Sequence, residues 1–140
     1  MILQIKEVGK IINKPSKVAK ILKKVLSFED SADQNKEHFW TIGVNTKNQI
    51  LYIDLTHLGT LEQSVVHPRD VFRTAISYGA FAIIVGHNHP SGDHKPSAND
   101  HKINKKLNAA GDLLAIPCLD HIIIGTNSFY SFHDKDFNLF

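Results

Sequence analysis

Apolar and polar positions alternate along the chain with two different periods, and each period predicts its own elements. In "KPSKVAKILKKVLSF", Val18, Ile21, Leu22, Val25 and Leu26 recur at helical spacing. That predicts a helix capped by Ser16, with Lys17, Lys20, Lys23 and Lys24 on its solvated side. The preceding "ILQIKEVG" predicts a short edge strand. "EHFWTIGV" and "QILYIDLTHL" predict the two strands of a hairpin turned by "NTKN". "GTLEQSVV" predicts a third, weaker strand. A second helix is expected over "HPRDVFRTAISYG", where Pro68 suits the first turn and Gly79 a stop. Val71, Phe72, Ala75 and Ile76 form its apolar stripe.

"AFAIIVGH" is apolar at nearly every position, as a strand buried on both faces should be. A loop punctuated by Pro90, Gly92 and Pro96 follows, then a predicted helix from Ser97 to Ala110, stopped by Gly111. "LLAIPCL", "DHIIIGT" and "FYSFHD" predict closing strands, with "TNS" as a turn. Helices between strands, with hairpins at both ends, predict an α/β fold, a mixed sheet flanked by helices. No repeat, low-complexity tract or linker interrupts the pattern. Residues 1–140 are therefore read as one domain, with a strand and helix in 1–30 and the main core in 37–132.

Composition narrows the function classes. A net charge of +2, with fourteen of sixteen basic residues being Lys, does not mark a nucleic-acid binder. The apolar runs are too short to span a bilayer, so no membrane partner is expected. "MILQIKEVGK" lacks the features of a signal peptide. The single cysteine, Cys118, excludes an internal disulfide and points to a cytoplasmic location. Its setting in "LLAIPCL" predicts a buried, inert thiol.

The richest chemistry lies in "VGHNHPSGDHKPSAND". His87 and His89 stand two apart at a strand end, so their imidazoles point the same way. Asp100 falls in the first turn of the next helix, where the dipole favours a carboxylate. Two imidazoles and a carboxylate make a three-ligand set for Zn²⁺, with a fourth position for water. Other readings stand beside this one. Ser97-x-x-Asp100 also resembles a capping box with Asp in place of Glu or Gln. His94 is either a spare ligand or a solvated loop residue. His101, about 100° around the helix from Asp100, should miss the metal. Asp120-His121 either orients a ligand or starts a strand in solvent. Trp40, Phe129, Tyr130 and Phe132 read as packing residues.

His87-Asn88-His89, seven residues, then Ser97-x-x-Asp100 resembles the His-x-His-x7-Ser-x-x-Asp signature of JAB/MPN (JAMM) metalloproteins. "HNHPSG", "HPRDVF" and "LDHIIIG" narrow the resemblance to the bacterial RadC-type JAB domain, from about Glu37 to Phe132. The resemblance implies a cytidine-deaminase-like JAB/MPN fold, with Zn²⁺ held by His87, His89 and Asp100. It also implies a catalytic Glu on an upstream strand. Glu37 fits that order, and Asp54, Glu62 and Asp70 are its rivals. The implied activity is cleavage of peptide or isopeptide bonds in a protein or peptide by metal-activated water. Glu37 would move the proton and the Ser97 hydroxyl would donate to the developing oxyanion. Asn88 stands where deubiquitinase-like members carry Ser or Thr, so ubiquitin-type substrates are not implied. The helix-hairpin-helix segment of longer RadC proteins is not expected. Three consecutive letters "HNH" do not make the dispersed site of the nuclease class of that name. An Fe(II) oxygenase shares the two-His-one-carboxylate set, but not the Ser97 spacing or the flanking blocks. The alternative function is an accessory metal-binding module in DNA repair. In that case Lys102, Lys105, Lys106 and the Lys-rich first helix would supply a weak nucleic-acid contact, steeply dependent on salt.

Overall fold

A computed structural model describes residues 1–59 and 66–137. The elements in chain order are α1 (Pro15–Ser27), α2 (Ser31–Gln34), β1 (Glu37–Val44), β2 (Ile50–Gly59), α3 (Pro68–Tyr78), β3 (Ala82–Asn88), α4 (Ala98–Leu114), β4 (Cys118–Ile124) and β5 (Phe129–Ser131). The strands form one five-stranded sheet in the order β2-β1-β3-β4-β5. Only β3 and β4 are parallel, because α4 carries the chain back between them; the other neighbours are antiparallel. This is the expected α/β architecture, a mixed sheet with helices on both faces.

Each face has its own core. Val18, Ala19, Leu22 and Val25 of α1 pack with Trp40, Ile42, Ile84, Ile122 and Ile124. On the opposite face, Val71, Phe72 and Ala75 of α3 and Leu107 of α4 pack with Phe39, Tyr52, Ile83 and Val85. Adjacent residues of β1 and β3 thus feed opposite cores, and all seven residues of β3 are buried. That two-sided burial is why these strands are apolar at successive positions rather than alternate ones.

Several expectations need correcting. Ser16 does not cap α1: Lys14 occupies the cap position without a side-chain bond, and Pro15 takes the first turn. "ILQIKEVG" lies along β2 without forming a strand of the sheet: an isolated bridge, Ile2 to Asp54, and the Gly9 N–H on the Ile50 carbonyl oxygen at 2.8 Å hold it there, and it turns at Gly9, φ 89°. Ile76, expected in the apolar stripe, is 60% exposed. "GTLEQSVV" gives Gly59 to the end of β2, and residues 60–65 lie outside the described residues. α4 runs through Gly111 to Leu114 and ends on Ala115, whose φ is 57°. The glycine serves close packing here: a Cβ at Gly111 would lie 2.6 Å from the Ile116 carbonyl oxygen. "LLAIPCL" therefore divides between the end of α4 and the start of β4. "FYSFHD" contributes only Phe129–Ser131 as strand. The "NTKN" and "TNS" turns are present, and Asn45 Oδ1 accepts the N–H groups of Lys47 and Gln49.

Candidate metal centre

Three elements bring four side chains together at one end of the sheet. His87 sits near the end of β3, 2% exposed. The chain stays in line beyond it because the His89 N–H donates to the Ile124 carbonyl oxygen at 3.0 Å. The two imidazoles therefore share a side, with their Nε2 atoms 3.1 Å apart. Asp100 arrives from the first turn of α4. Ser97 Oγ accepts the Asp100 N–H at 3.1 Å, and Asp100 Oδ2 accepts the Ser97 N–H at 2.9 Å. This is a capping box, and it also fixes the carboxylate so that Oδ1 faces His87 Nε2 at 3.2 Å and Oδ2 faces His89 Nε2 at 3.0 Å. Glu37 opens β1 and brings Oε1 to 4.0 Å from His87 Nε2. One ligand atom from each of Glu37, His87, His89 and Asp100 lies within 4.8 Å of the other three.

The donor set fits a divalent cation. His89 Nδ1 lies 2.9 Å from the Asp93 carbonyl oxygen, which can only accept, so Nδ1 must carry a proton. In neutral His89 the Nε2 lone pair then points at a carboxylate oxygen 3.0 Å away. Two acceptors at that distance repel unless a proton or a cation lies between them. A cation shared by both Nε2 atoms and the carboxylate removes that conflict for all three ligands.

Local electrostatics follow from this crowding. Where protons rather than a cation lie between these groups, burial pushes the Asp100 carboxyl up, but hydrogen bonds from His87 and His89 outweigh it and hold the group well below the usual carboxylate range. The hydrogen bond to Asp100 raises His89 against the opposing effect of burial. Burial raises Glu37, Asp100 adds to the rise, and the two histidines partly offset it. A raised carboxyl is better matched to proton transfer near neutrality.

Sequence reasoning left the role of His121 open. This residue is fully buried, and its Nε2 lies 2.9 Å from His87 Nδ1. Burial holds His121 well below the ordinary imidazole range, so it is neutral and can accept from His87 Nδ1–H. A cation on the cluster requires the bond in this sense, with His87 Nε2 as the bare nitrogen. Phe39 stacks on His87, and Phe132 stacks on His121 at 4.7 Å between ring centroids. Phe132 is thus part of the site's wall. The Asp120-His121 pair does not start a strand in solvent: both residues are buried. Asp120 turns away to accept from Ser131 Oγ and the N–H groups of His121 and His133, fastening β5.

The other candidates lie elsewhere. His94 bonds Ser128 Oγ and tethers its loop to the β4–β5 turn. His101 is exposed and meets Phe132 edge-on. Asp54 is held by the Met1 amine and Thr74, and Asp70 pairs with Arg73. Glu62 falls outside the described residues. Among the described carboxylates considered as rivals, Glu37 is the one brought to the cluster.

Residues 12–137 match the family described as RadC-like JAB domain. The chain belongs to that family. Relatives of this RadC-like JAB domain include a UPF0758 protein of Desulforamulus reducens, 48% identical over 110 residues, or 79% of this chain and 48% of the relative. A UPF0758 protein of Geotalea uraniireducens is 52% identical over 103 residues, covering 74% of this chain and 45% of its own length. One from Chlorobaculum tepidum is 48% identical over 102 residues, covering 73% and 46%. The chain thus spans about half the length of the curated relatives it matches. In the RadC-like JAB fold, "HPRDVF" is the cap residue and first turns of α3, and "LDHIIIG" is β4 from its second residue with the residue after it. The family match also takes in α1, which the motif anchors did not reach. Among the described residues, no helix is long and apolar enough to cross a membrane.

Proposed function

We propose that this RadC-like JAB domain is a zinc-dependent hydrolase of the JAMM type that cleaves peptide or isopeptide bonds. The observation that carries the reading is a carboxylate, Glu37, held 4.0 Å from a ligand-type nitrogen but outside the tight His87–His89–Asp100 triangle. Three close donors with a fourth acid set back is the arrangement expected when one group handles protons and the others hold a metal. Zn²⁺ suits two imidazoles and a carboxylate, and when bound it would polarise a carbonyl and acidify a water.

The chain's own residues supply the rest. The Asp93 carbonyl keeps His89 in the tautomer that offers Nε2, and His121 Nε2 is the acceptor within reach of His87 Nδ1–H when His87 offers its own Nε2. Asp100 balances charge while the capping box locks its rotamer. Glu37 accepts the proton of the attacking water and returns it to the leaving amine. Ser97 Oγ accepts the Asp100 N–H, which leaves its own hydroxyl proton free to donate to the carbonyl oxygen as charge develops there.

Elemental measurement and turnover of a peptide library test this together. About one zinc per chain is expected, as the donor set holds a single ion. It should be lost in Asp100→Ala or His89→Ala and kept in Glu37→Gln, which loses hydrolysis. Zinc retained in Asp100→Ala, or full turnover by Glu37→Gln, would contradict the reading. For the accessory nucleic-acid module, the relevant cations are exposed: Lys102, Lys105 and Lys106 on α4, and Lys17 and Lys20 on α1. These helices cover opposite faces of the sheet, so their charges form no single stripe, and we favour the hydrolase. Binding to DNA that falls steeply with salt would reverse that preference. The one free, buried thiol accords with a cytoplasmic setting.

A further inference from the structure

Asn88 stands between the two histidines, and strand alternation turns its side chain away from both imidazoles. It is only 2% exposed. β1 and β3 pair through their backbones as far as Phe39 and His87. One step further, the Asn88 side chain takes over. Its Oδ1 accepts the His38 N–H at 2.6 Å, and its Nδ2 donates to the Lys36 carbonyl oxygen at 3.0 Å. The Lys36 carbonyl belongs to the peptide unit before Glu37, and the His38 N–H belongs to the unit after it. A single buried amide therefore grips both peptide units that set the backbone of Glu37.

We propose that Asn88 is a positioning residue that holds the Glu37 carboxylate against the metal-ligand cluster. The proposal rests on the reading of Glu37 as the proton-transferring group. Glu37 is the first residue of β1, where a strand would otherwise fray. Its Oε1 must nevertheless stay near His87 Nε2, 4.0 Å away, and a misplacement of about 1 Å at a reacting group is costly in rate. Asn88 follows His87 directly, so the same strand end that presents the ligand also anchors the base. The position needs a donor and an acceptor on one planar group with this reach. Asp lacks the donor, Ala lacks both, and a Ser or Thr hydroxyl is too short to span the two peptide units.

The test uses the full chain loaded with Co²⁺, whose paramagnetic shifts report how near Glu37 lies to the ion. In Asn88→Ala we expect Co²⁺ stoichiometry to match wild type, because no ligand is removed. The His38 amide should exchange with solvent about tenfold faster, and the Glu37 side-chain shifts should shrink while those of His87 and His89 persist. Unchanged Glu37 shifts with retained His38 protection would overturn the proposal. If Asn88→Ala melts too readily, the near-isosteric Asn88→Asp decides: it keeps the acceptor for His38 and loses the donor for Lys36. A displaced Glu37 in that variant supports the proposal, and an undisplaced one sinks it. Full hydrolysis by Glu37→Gln would overturn the role of Glu37 while leaving the Co²⁺ measurement of its position intact, so the two failures are distinguishable.

Discussion

At the scale of single residues, the site depends on which nitrogen of each histidine is left bare. In the metal-binding tautomer of His87, its Nδ1–H donates to His121 Nε2 across 2.9 Å, in a setting closed off by Phe39 and Phe132. His121→Leu removes the acceptor and strands a buried N–H. We expect Zn²⁺ affinity to fall about 10–100-fold, measured by competition with a chromogenic chelator. His121→Gln retains a carbonyl oxygen and should recover much of that loss. Equal affinity in wild type and His121→Leu would show that His87 needs no partner. Cys118 is a residue of the opposite kind. Burial pushes its thiol up to about 12, with Asp120 adding to the rise, so it packs β4 without reacting. That much was legible in its apolar neighbours.

At the scale of elements, α4 reverses the ordinary helix stop. Gly111 lies inside the helix, while Ala115 adopts the left-handed conformation at its end. Packing explains the first: the chain folds back so closely that a Cβ at Gly111 would meet the Ile116 carbonyl oxygen at 2.6 Å and the Cys118 nitrogen at 3.3 Å. Gly111→Ala gains about 1 kcal/mol of helix propensity but should lose more to that backbone collision, giving net destabilisation of about 1–2 kcal/mol. Ala115→Gly relieves a strained φ and should stabilise by about 1 kcal/mol. Urea unfolding midpoints read both signs, and a stabilising Gly111→Ala would refute the packing argument. A glycine after a helical run reads as a stop from sequence because local signals cannot see the strand that will lie against it.

At the scale of the whole molecule, the cluster joins β1, the end of β3 and the start of α4, elements that meet only in the folded state. A cation bound there stabilises the native chain by mass action. Free zinc at about a hundred times its dissociation constant adds about 2.7 kcal/mol. For a chain of this size that raises the thermal midpoint by about 5–10 °C. Calorimetry should show the rise in wild type, its reversal by chelator, and its absence in Asp100→Ala. A zinc response persisting in that variant would place the stabilising ion elsewhere.

The clustering of His87, His89 and Asp100 was readable from the chain alone because it is built from short-range geometry. A two-residue step along a strand puts His87 and His89 on one side, and a capping turn aims Asp100. The buried strand and the main helices were readable for the same reason, since their periods are local. Glu37, His121 and Asn88 are different. They lie tens of residues from their partners along the chain or act through backbone groups of another strand, so no spacing encodes them. Only the pairing of β1 and β4 on either side of β3 brings the carboxylate, the orienting imidazole and the gripping amide into register, because strand order is set by burial on both faces of the sheet rather than by neighbours in sequence.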